Sequence, residues 1–157
     1  MKKGQTEILG LAIVVVLVLV ATTFVIRFLV DKSPADYRKS FVAEQLASNM
    51  VGALIGTTTD CSQRAITELL QDCSQSGTIT CNNKNSCDFV EDTTKFIFSQ
   101  TLDKWNYKYE FKVYYASNPN QLLFHRIGQQ CKGDKEQGTF IIPSNTGNIN
   151  VELNICL

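Results

Sequence analysis

The sequence lacks an excess of charge of either sign. Its 157 residues include 15 basic and 15 acidic side chains, so the formal net charge is zero. A protein that binds nucleic acid or an acidic polymer through its overall field usually carries a basic patch or tract. No long run of like charge interrupts this sequence. We therefore expect no nucleic-acid partner.

Signatures of catalysis are also missing. The sequence contains no G-x-S-x-G, no H-E-x-x-H and no glycine-rich phosphate loop. Its single histidine, His125, lies in a predicted strand, where a catalytic base would still need an orienting partner and a nucleophile. The adjacent carboxylates Glu91 and Asp92 point in different directions from a helix. We expect a protein that is not an enzyme and that uses no cofactor.

The cysteines lack the close C-x2-C pairs that are typical of zinc sites, and no metal site is expected. An even number of cysteines beyond the apolar run fits disulfide bonds formed in an oxidising compartment. The six predicted disulfide residues are Cys61, Cys73, Cys81, Cys87, Cys131 and Cys156.

What the sequence has is a long apolar run near its start. From Ile8 to Ile26 there are nineteen consecutive residues without a charge. As a helix with a rise of about 1.5 Å per residue, this run would be about 28 Å long, close to the roughly 30 Å thickness of the hydrocarbon core. The sequence therefore predicts a long N-terminal apolar helix over residues 5–30 that spans a membrane or forms the core of a filament.

The charges that flank the apolar run predict its orientation. Lys2 and Lys3 precede it, whereas Arg27, Asp31 and Lys32 form a mixed flank after it. The positive-inside bias then leaves the N-terminus in the cytoplasm. We expect a single pass through the cell membrane and an extracytoplasmic head domain over residues 34–157.

Two or three further helices are predicted in the first part of the head. Ser33 as N-cap and Pro34 in the first turn begin one helix, which ends at Gly56. Asp60 and Gln63 read as the capping box of a second helix, and Asp88 and Glu91 as that of a third. The first of these helices is expected to bury one face formed by Tyr37, Phe41, Leu46, Met50 and Leu54.

Helical geometry restricts the disulfide pairing. If residues 61 to 73 were all helical, the Cα atoms of Cys61 and Cys73 would lie about 18 Å apart, well beyond the roughly 4.4–6.8 Å of a disulfide. These two cysteines must have other partners. Bonds from Cys73, Cys81 and Cys87 would hold the polar segment between them, which has few apolar side chains of its own.

The last third of the sequence changes to an alternating pattern. The segments YKYEFKVYY, QLLFHRI, TFIIP and INVELNICL predict a four-stranded antiparallel sheet, and hence an α+β head. In the final strand the odd-numbered residues from Ile149 to Leu157 share one face. Cys156 lies on the opposite face, and Cys131 is its preferred partner among fifteen possible connectivities.

The opening KKGQTEILGLAIVVVLVLV resembles the class III signal peptide of archaeal type IV pilins. In that family a basic leader ends in glycine, a peptidase cleaves before glutamine, and a glutamate precedes the apolar helix. The resemblance makes residues 1–4 the leader, with cleavage between Gly4 and Gln5. It also assigns Glu7 to subunit assembly, where its carboxylate can pair with a neighbouring amino terminus. Glu7 would be the third mature residue, whereas the family commonly has this glutamate fifth.

The resemblance implies a structural subunit of a cell-surface filament. Its expected partners are copies of itself, the membrane, a prepilin peptidase and the pilus assembly machinery. The alternative is a membrane-anchored extracytoplasmic domain that binds or adheres without forming filaments.

Overall fold

The computed structural model describes the backbone of residues 3–30 and 34–157, and the side chains of residues 13–27 and 37–157. Contacts divide the chain into an N-terminal unit, Met1–Arg38, and a C-terminal unit, Lys39–Leu157. Helix α1 covers Lys3–Val30, and the boundary between the units falls within α2, Pro34–Gly56.

The prediction of a long apolar transmembrane or filament-core helix over residues 5–30 is wrong. Within the described residues, no helix offers a stretch that is both long enough and apolar enough to cross a membrane. The side chains described in α1 run from Ile13 to Arg27.

Helix α2 ends at Gly56 as predicted, but only part of the predicted face is buried. Leu54 is buried, and Leu46 and Met50 pack partly buried against the core. Tyr37 and Phe41 remain 72% and 54% exposed. The residues that α2 buries are small or of moderate size: Ala43, Ala47, Val51, Leu54 and Ile55. The reason is a close approach of two backbones, because a Cβ placed on Gly138 would lie 2.4 Å from the carbonyl carbon of Ala47. Large side chains on this face would prevent that approach.

The predicted helix beginning at Asp60 starts later in the structure. Ser62 and Gln63 have φ values of 52° and 59°, in the left-handed region, so no right-handed helix can begin there. Helix α3 instead covers Ile66–Gln75. A short ribbon follows, formed by β1, Thr80–Cys81, and β2, Lys84–Asn85.

Helix α4, Ser86–Gln100, confirms the third predicted helix and begins slightly earlier than expected. Its N-cap is Asn85, whose side chain accepts a hydrogen bond of 2.9 Å from the backbone N–H of Asp88 and donates one to the Asp88 carboxylate. Capping therefore uses Asn85 and Asp88 in place of the predicted Asp88 and Glu91.

The antiparallel sheet has five strands, not the predicted four. The strand order is β4-β3-β7-β6, and β5 also pairs with β3. The single strand predicted over QLLFHRI is divided between β4 and β5. The register of β4 against β3 shifts between Tyr114 and Tyr115, and β5 pairs with β3 further along, at Glu110 and Phe111. The five strands are β3 (Tyr109–Tyr115), β4 (Asn118–Leu122), β5 (Ile127–Gly128), β6 (Lys135–Ile142) and β7 (Ile149–Cys156).

The core of the C-terminal unit lies between its helices and one face of this sheet. On β7 the alternation predicted the buried face correctly: Ile149, Val151, Leu153 and Ile155 are fully buried. Phe98 of α4 contacts that face edge-on, with ring centroids 5.2 Å from Tyr109 and 5.3 Å from Phe111. The opposite face of β3 and β7 carries polar side chains.

Candidate functional site

The sequence-predicted processing and assembly residues lie at the start of α1. The backbone of Gly4, Gln5 and Glu7 is helical, and their side chains are outside the described residues. From Ile13 to Arg27 every described side chain is exposed. The large apolar side chains exposed on α1 are Ile13, Val14, Val15, Val16, Leu17, Val18, Leu19, Val20, Phe24, Val25 and Ile26.

All six cysteines form disulfides. The bonds are Cys61–Cys81, Cys73–Cys87 and Cys131–Cys156, with Cα separations of 5.3, 4.9 and 5.3 Å. The pairing of Cys131 with Cys156 is the one predicted from the alternation of β7. Cys61 and Cys73 do not pair with each other, as expected, although Cys61 lies in a turn and not in the predicted helix.

A carboxylate organises the segment between the first two disulfides. Asp72 accepts hydrogen bonds from Ser86 Oγ at 2.6 Å, from the Ile79 backbone N–H at 3.0 Å and from Thr78 Oγ1 at 3.0 Å. Burial raises the pKa of Asp72, but the hydrogen bonds from Ser86, Ile79 and Thr78 outweigh it and bring the pKa below its usual value. Asp72 thus joins the end of α3 to the start of α4.

We expect Asp72→Ala to destabilise the C-terminal unit by about 1.5 kcal/mol at neutral pH, the lower end of the range for hydrogen bonds to a charged group, because Asp72 is only partly buried. A lowered folded-state pKa gives stability above the usual pKa of 3.8 and loses it as the pH falls through the folded value. The difference between wild type and variant, measured by urea denaturation with disulfides intact, should therefore shrink below pH 3.8. The exposed carboxylate Asp60 supplies the control, since Asp60→Ala should change stability by less than about 0.5 kcal/mol.

His125 borders a recess of about 320 Å³ whose other lining residues are Lys84, Asp88, Glu91 and Asp92. Glu91 Oε2 lies 3.7 Å from His125 Nδ1 and accepts a hydrogen bond of 3.3 Å from its backbone N–H. Glu91 Oε1 lies 2.6 Å from Lys95 Nζ. The residues that line the recess thus pair basic with acidic groups, and they place no hydroxyl or thiol nucleophile beside His125.

The polar face of β3 and β7 carries a second arrangement, which we name the Glu152 cluster. It consists of Glu110, Lys112, Tyr114, Arg126, Glu152 and Asn154. Although the sequence pattern placed Glu152 and Asn154 on the outer face, they are only 5% and 0% exposed.

Glu152 is the centre of this cluster. Its Oε1 lies 3.0 Å from Lys112 Nζ and 2.7 Å from Asn154 Nδ2, and its Oε2 accepts a hydrogen bond of 2.8 Å from the Tyr114 hydroxyl. Burial raises the pKa of Glu152, but the hydrogen bonds from Asn154, Lys112 and Tyr114 outweigh it, so the pKa lies below its usual value. The carboxylate is therefore ionised at neutral pH and accepts hydrogen bonds from both nitrogens.

The sequence contains a pattern that indicates part of this cluster. Glu110 and Lys112 alternate with apolar residues on one predicted strand, and Glu152 and Asn154 do so on another. Only the pairing of β3 with β7, which places Lys112 opposite Glu152, brings the two sets together. Sequence periodicity shows which face a residue occupies, but not which strand is its neighbour.

The described residues contain no group of three or more histidine, cysteine or acidic side chains placed to hold a metal ion. Compared with known protein families, curated proteins and solved structures, the chain shows no match.

Proposed function

We propose that this chain is a structural, pilin-like subunit of an extracytoplasmic cell-surface filament, which associates with copies of itself through its N-terminal unit. The observation that carries the proposal is the exposure of every described side chain on α1 from Ile13 to Arg27. Eleven of these are large and apolar. Contiguous apolar surface on this scale is typical of an interaction site.

The character of α1 favours copies of the same helix as the partner. An apolar face confined to one side would fit a single groove, whereas the described residues from Ile13 to Val20 expose apolar side chains on every side of the helix and would need neighbours on several sides to cover them. A symmetrical array of identical subunits supplies them. The leader-like residues Lys2 to Gln5 and the acidic Glu7 agree with this assignment, because their sequence resembles that of subunits processed before assembly.

The C-terminal unit supports a location outside the cytoplasm. Three disulfides in about a hundred residues are typical of secreted and surface domains, since cytoplasmic reductants keep thiols reduced. Such a covalently closed unit suits the exposed part of a surface assembly, with no requirement for an enzyme activity or a cofactor.

We expect Leu17→Asp to reduce the assembled fraction at least tenfold, because a carboxylate buried among apolar helices costs several kcal/mol and about 1.4 kcal/mol already corresponds to a factor of ten. Glu7→Ala should also abolish assembly if its carboxylate pairs with a neighbouring amino terminus. The measurement is electron microscopy of sheared surface material, together with intact masses that show whether Met1 to Gly4 have been removed.

Two matched controls separate assembly from folding. Leu157→Asp alters a leucine that is 56% exposed, close to the 62% of Leu17, and Glu44→Ala alters an exposed glutamate of α2. Both should assemble normally. Normal filaments from Leu17→Asp would contradict the proposal, and an unprocessed, monomeric wild-type chain would favour a binding or adhesion domain that does not polymerise.

A further inference from the structure

The Glu152 cluster places an amine, a carboxylate and a primary amide on one face of two paired strands. Lys112 on β3 is the register partner of Glu152 on β7, and Asn154 lies two positions further along β7 on the same face. Lys112 Nζ and Asn154 Nδ2 lie 3.0 and 2.7 Å from the same atom, Glu152 Oε1. Because both distances are hydrogen-bond lengths, the two nitrogens are at most about 6 Å apart.

We propose that Lys112 and Asn154 become joined by an intramolecular isopeptide bond, with Glu152 as the proton carrier. Glu152 takes a proton from the Lys112 ammonium group, and the free amine attacks Cγ of Asn154. The bond between Cγ and Nδ2 then breaks as Glu152 returns a proton to Nδ2. In total two protons leave Nζ and both end on the departing nitrogen, which is released as ammonium. No oxidant or other reactant is required.

The orientation of Asn154 suits this reaction. Its Nδ2, the atom that must leave, is 2.7 Å from Glu152 and 3.5 Å from Glu110 Oε2. Two carboxylate acceptors fix the direction of the amide, because the carbonyl oxygen could not donate to them. Glu110 forms an ion pair with Arg126, whose Nε lies 2.9 Å from Glu110 Oε1. Glu152 is therefore the carboxylate in contact with both reacting groups.

The surroundings keep the reacting groups together and restrict water. Asn154 is fully buried, and the Lys112 side chain is only 21% exposed. Lys112 Nζ lies 5.8 Å from the centroid of the Tyr114 ring, and the Tyr114 hydroxyl holds the other oxygen of Glu152. Fixed proximity greatly raises the effective concentration of a nucleophile, and a bond that forms once per molecule needs no fast turnover.

The test is mass spectrometry of the folded full chain after reduction and alkylation of its disulfides. We expect an intact mass lower by one ammonia, and a branched tryptic product in which residues 109–126 are linked to residues 136–157. Lys112 should resist trypsin, because an acylated lysine is not a cleavage site. The branch is decisive, since cyclisation of an N-terminal Gln5 or succinimide formation at Asn154 would also release ammonia but would leave the peptides separate.

Three variants test which side chains take part in forming the isopeptide bond. Lys112→Arg retains the positive charge and Glu152→Gln retains the size of the side chain, and both should lose the branched product while keeping the wild-type circular dichroism spectrum. Lys135, whose Nζ lies 4.0 Å from Glu152 Oε1, is the other nearby amine, and Lys135→Arg should keep the branch. Complete tryptic cleavage after Lys112 in wild-type protein that is folded and has been incubated for days would overturn the proposal, as would a branch that persists in Lys112→Arg.

Discussion

Replacing Phe98 by alanine is expected to destabilise the C-terminal unit by about 3–5 kcal/mol. Phe98 is fully buried in α4 and meets both Tyr109 and Phe111 edge-on. The substitution removes the transfer free energy of the ring and leaves a cavity between the helix and the strand, which close-packed surroundings can fill only partly. The measurement is the free energy of unfolding from guanidinium titration with the disulfides intact.

Phe96 provides the matched control on the same helix. Its side chain is 66% exposed, so Phe96→Ala should change the free energy of unfolding by less than about 0.5 kcal/mol. Equal effects of the two substitutions would show that α4 does not pack on β3 through Phe98.

Replacing Gly138 by alanine is expected to cost about 3 kcal/mol or more, the upper range for overpacking. The new Cβ would lie 2.4 Å from the carbonyl carbon of Ala47 and 2.5 Å from its oxygen and from the Ser48 nitrogen. These are backbone atoms, so no side-chain rotation can relieve the collision, and α2 must move away from β6. Urea denaturation, with circular dichroism as the probe, would measure the loss.

Gly52 on α2 provides the control. It tests whether the loss of stability comes from the backbone contact at Gly138 or from replacing any glycine by alanine. A Cβ added there meets nothing within 4 Å. Gly52→Ala should therefore stabilise the unit by about 0.5–1 kcal/mol, since alanine loses less backbone entropy in a helix. A loss of stability in Gly52→Ala, or none in Gly138→Ala, would refute the close packing of α2 on β6.

The close approach at Gly138 also explains why the buried face of α2 differs in part from the predicted one. Tyr37 and Phe41 continue the apolar pattern of Leu46 and Leu54, and nothing local shows that these two aromatic side chains stay exposed while Ala43 and Ala47 are buried. The choice depends on a glycine about ninety residues away, which only the pairing of β6 with β7 places under the helix. Long-range contact overrides local periodicity here.

Other parts of the fold could be predicted because their signals are local. The buried face of β7 follows from strict alternation, and the pairing of Cys131 with Cys156 follows from the face on which Cys156 lies. The start of α3 could not be predicted, because Asp60 and Gln63 form a convincing capping pattern that the left-handed backbone at Ser62 and Gln63 prevents. The Glu152 cluster needed the register of two strands, which the sequence does not supply.

The first two disulfides alternate along the chain, since Cys73 lies inside the segment closed by Cys61 and Cys81, while Cys87 lies outside it. A protease that cut anywhere between residues 74 and 80 would therefore produce two pieces still joined by both bonds. The cut molecule would remain one covalent body, with α3 and α4 attached to each other through Cys73 and Cys87. A single cut in this segment would therefore break one peptide bond without releasing any part of the unit.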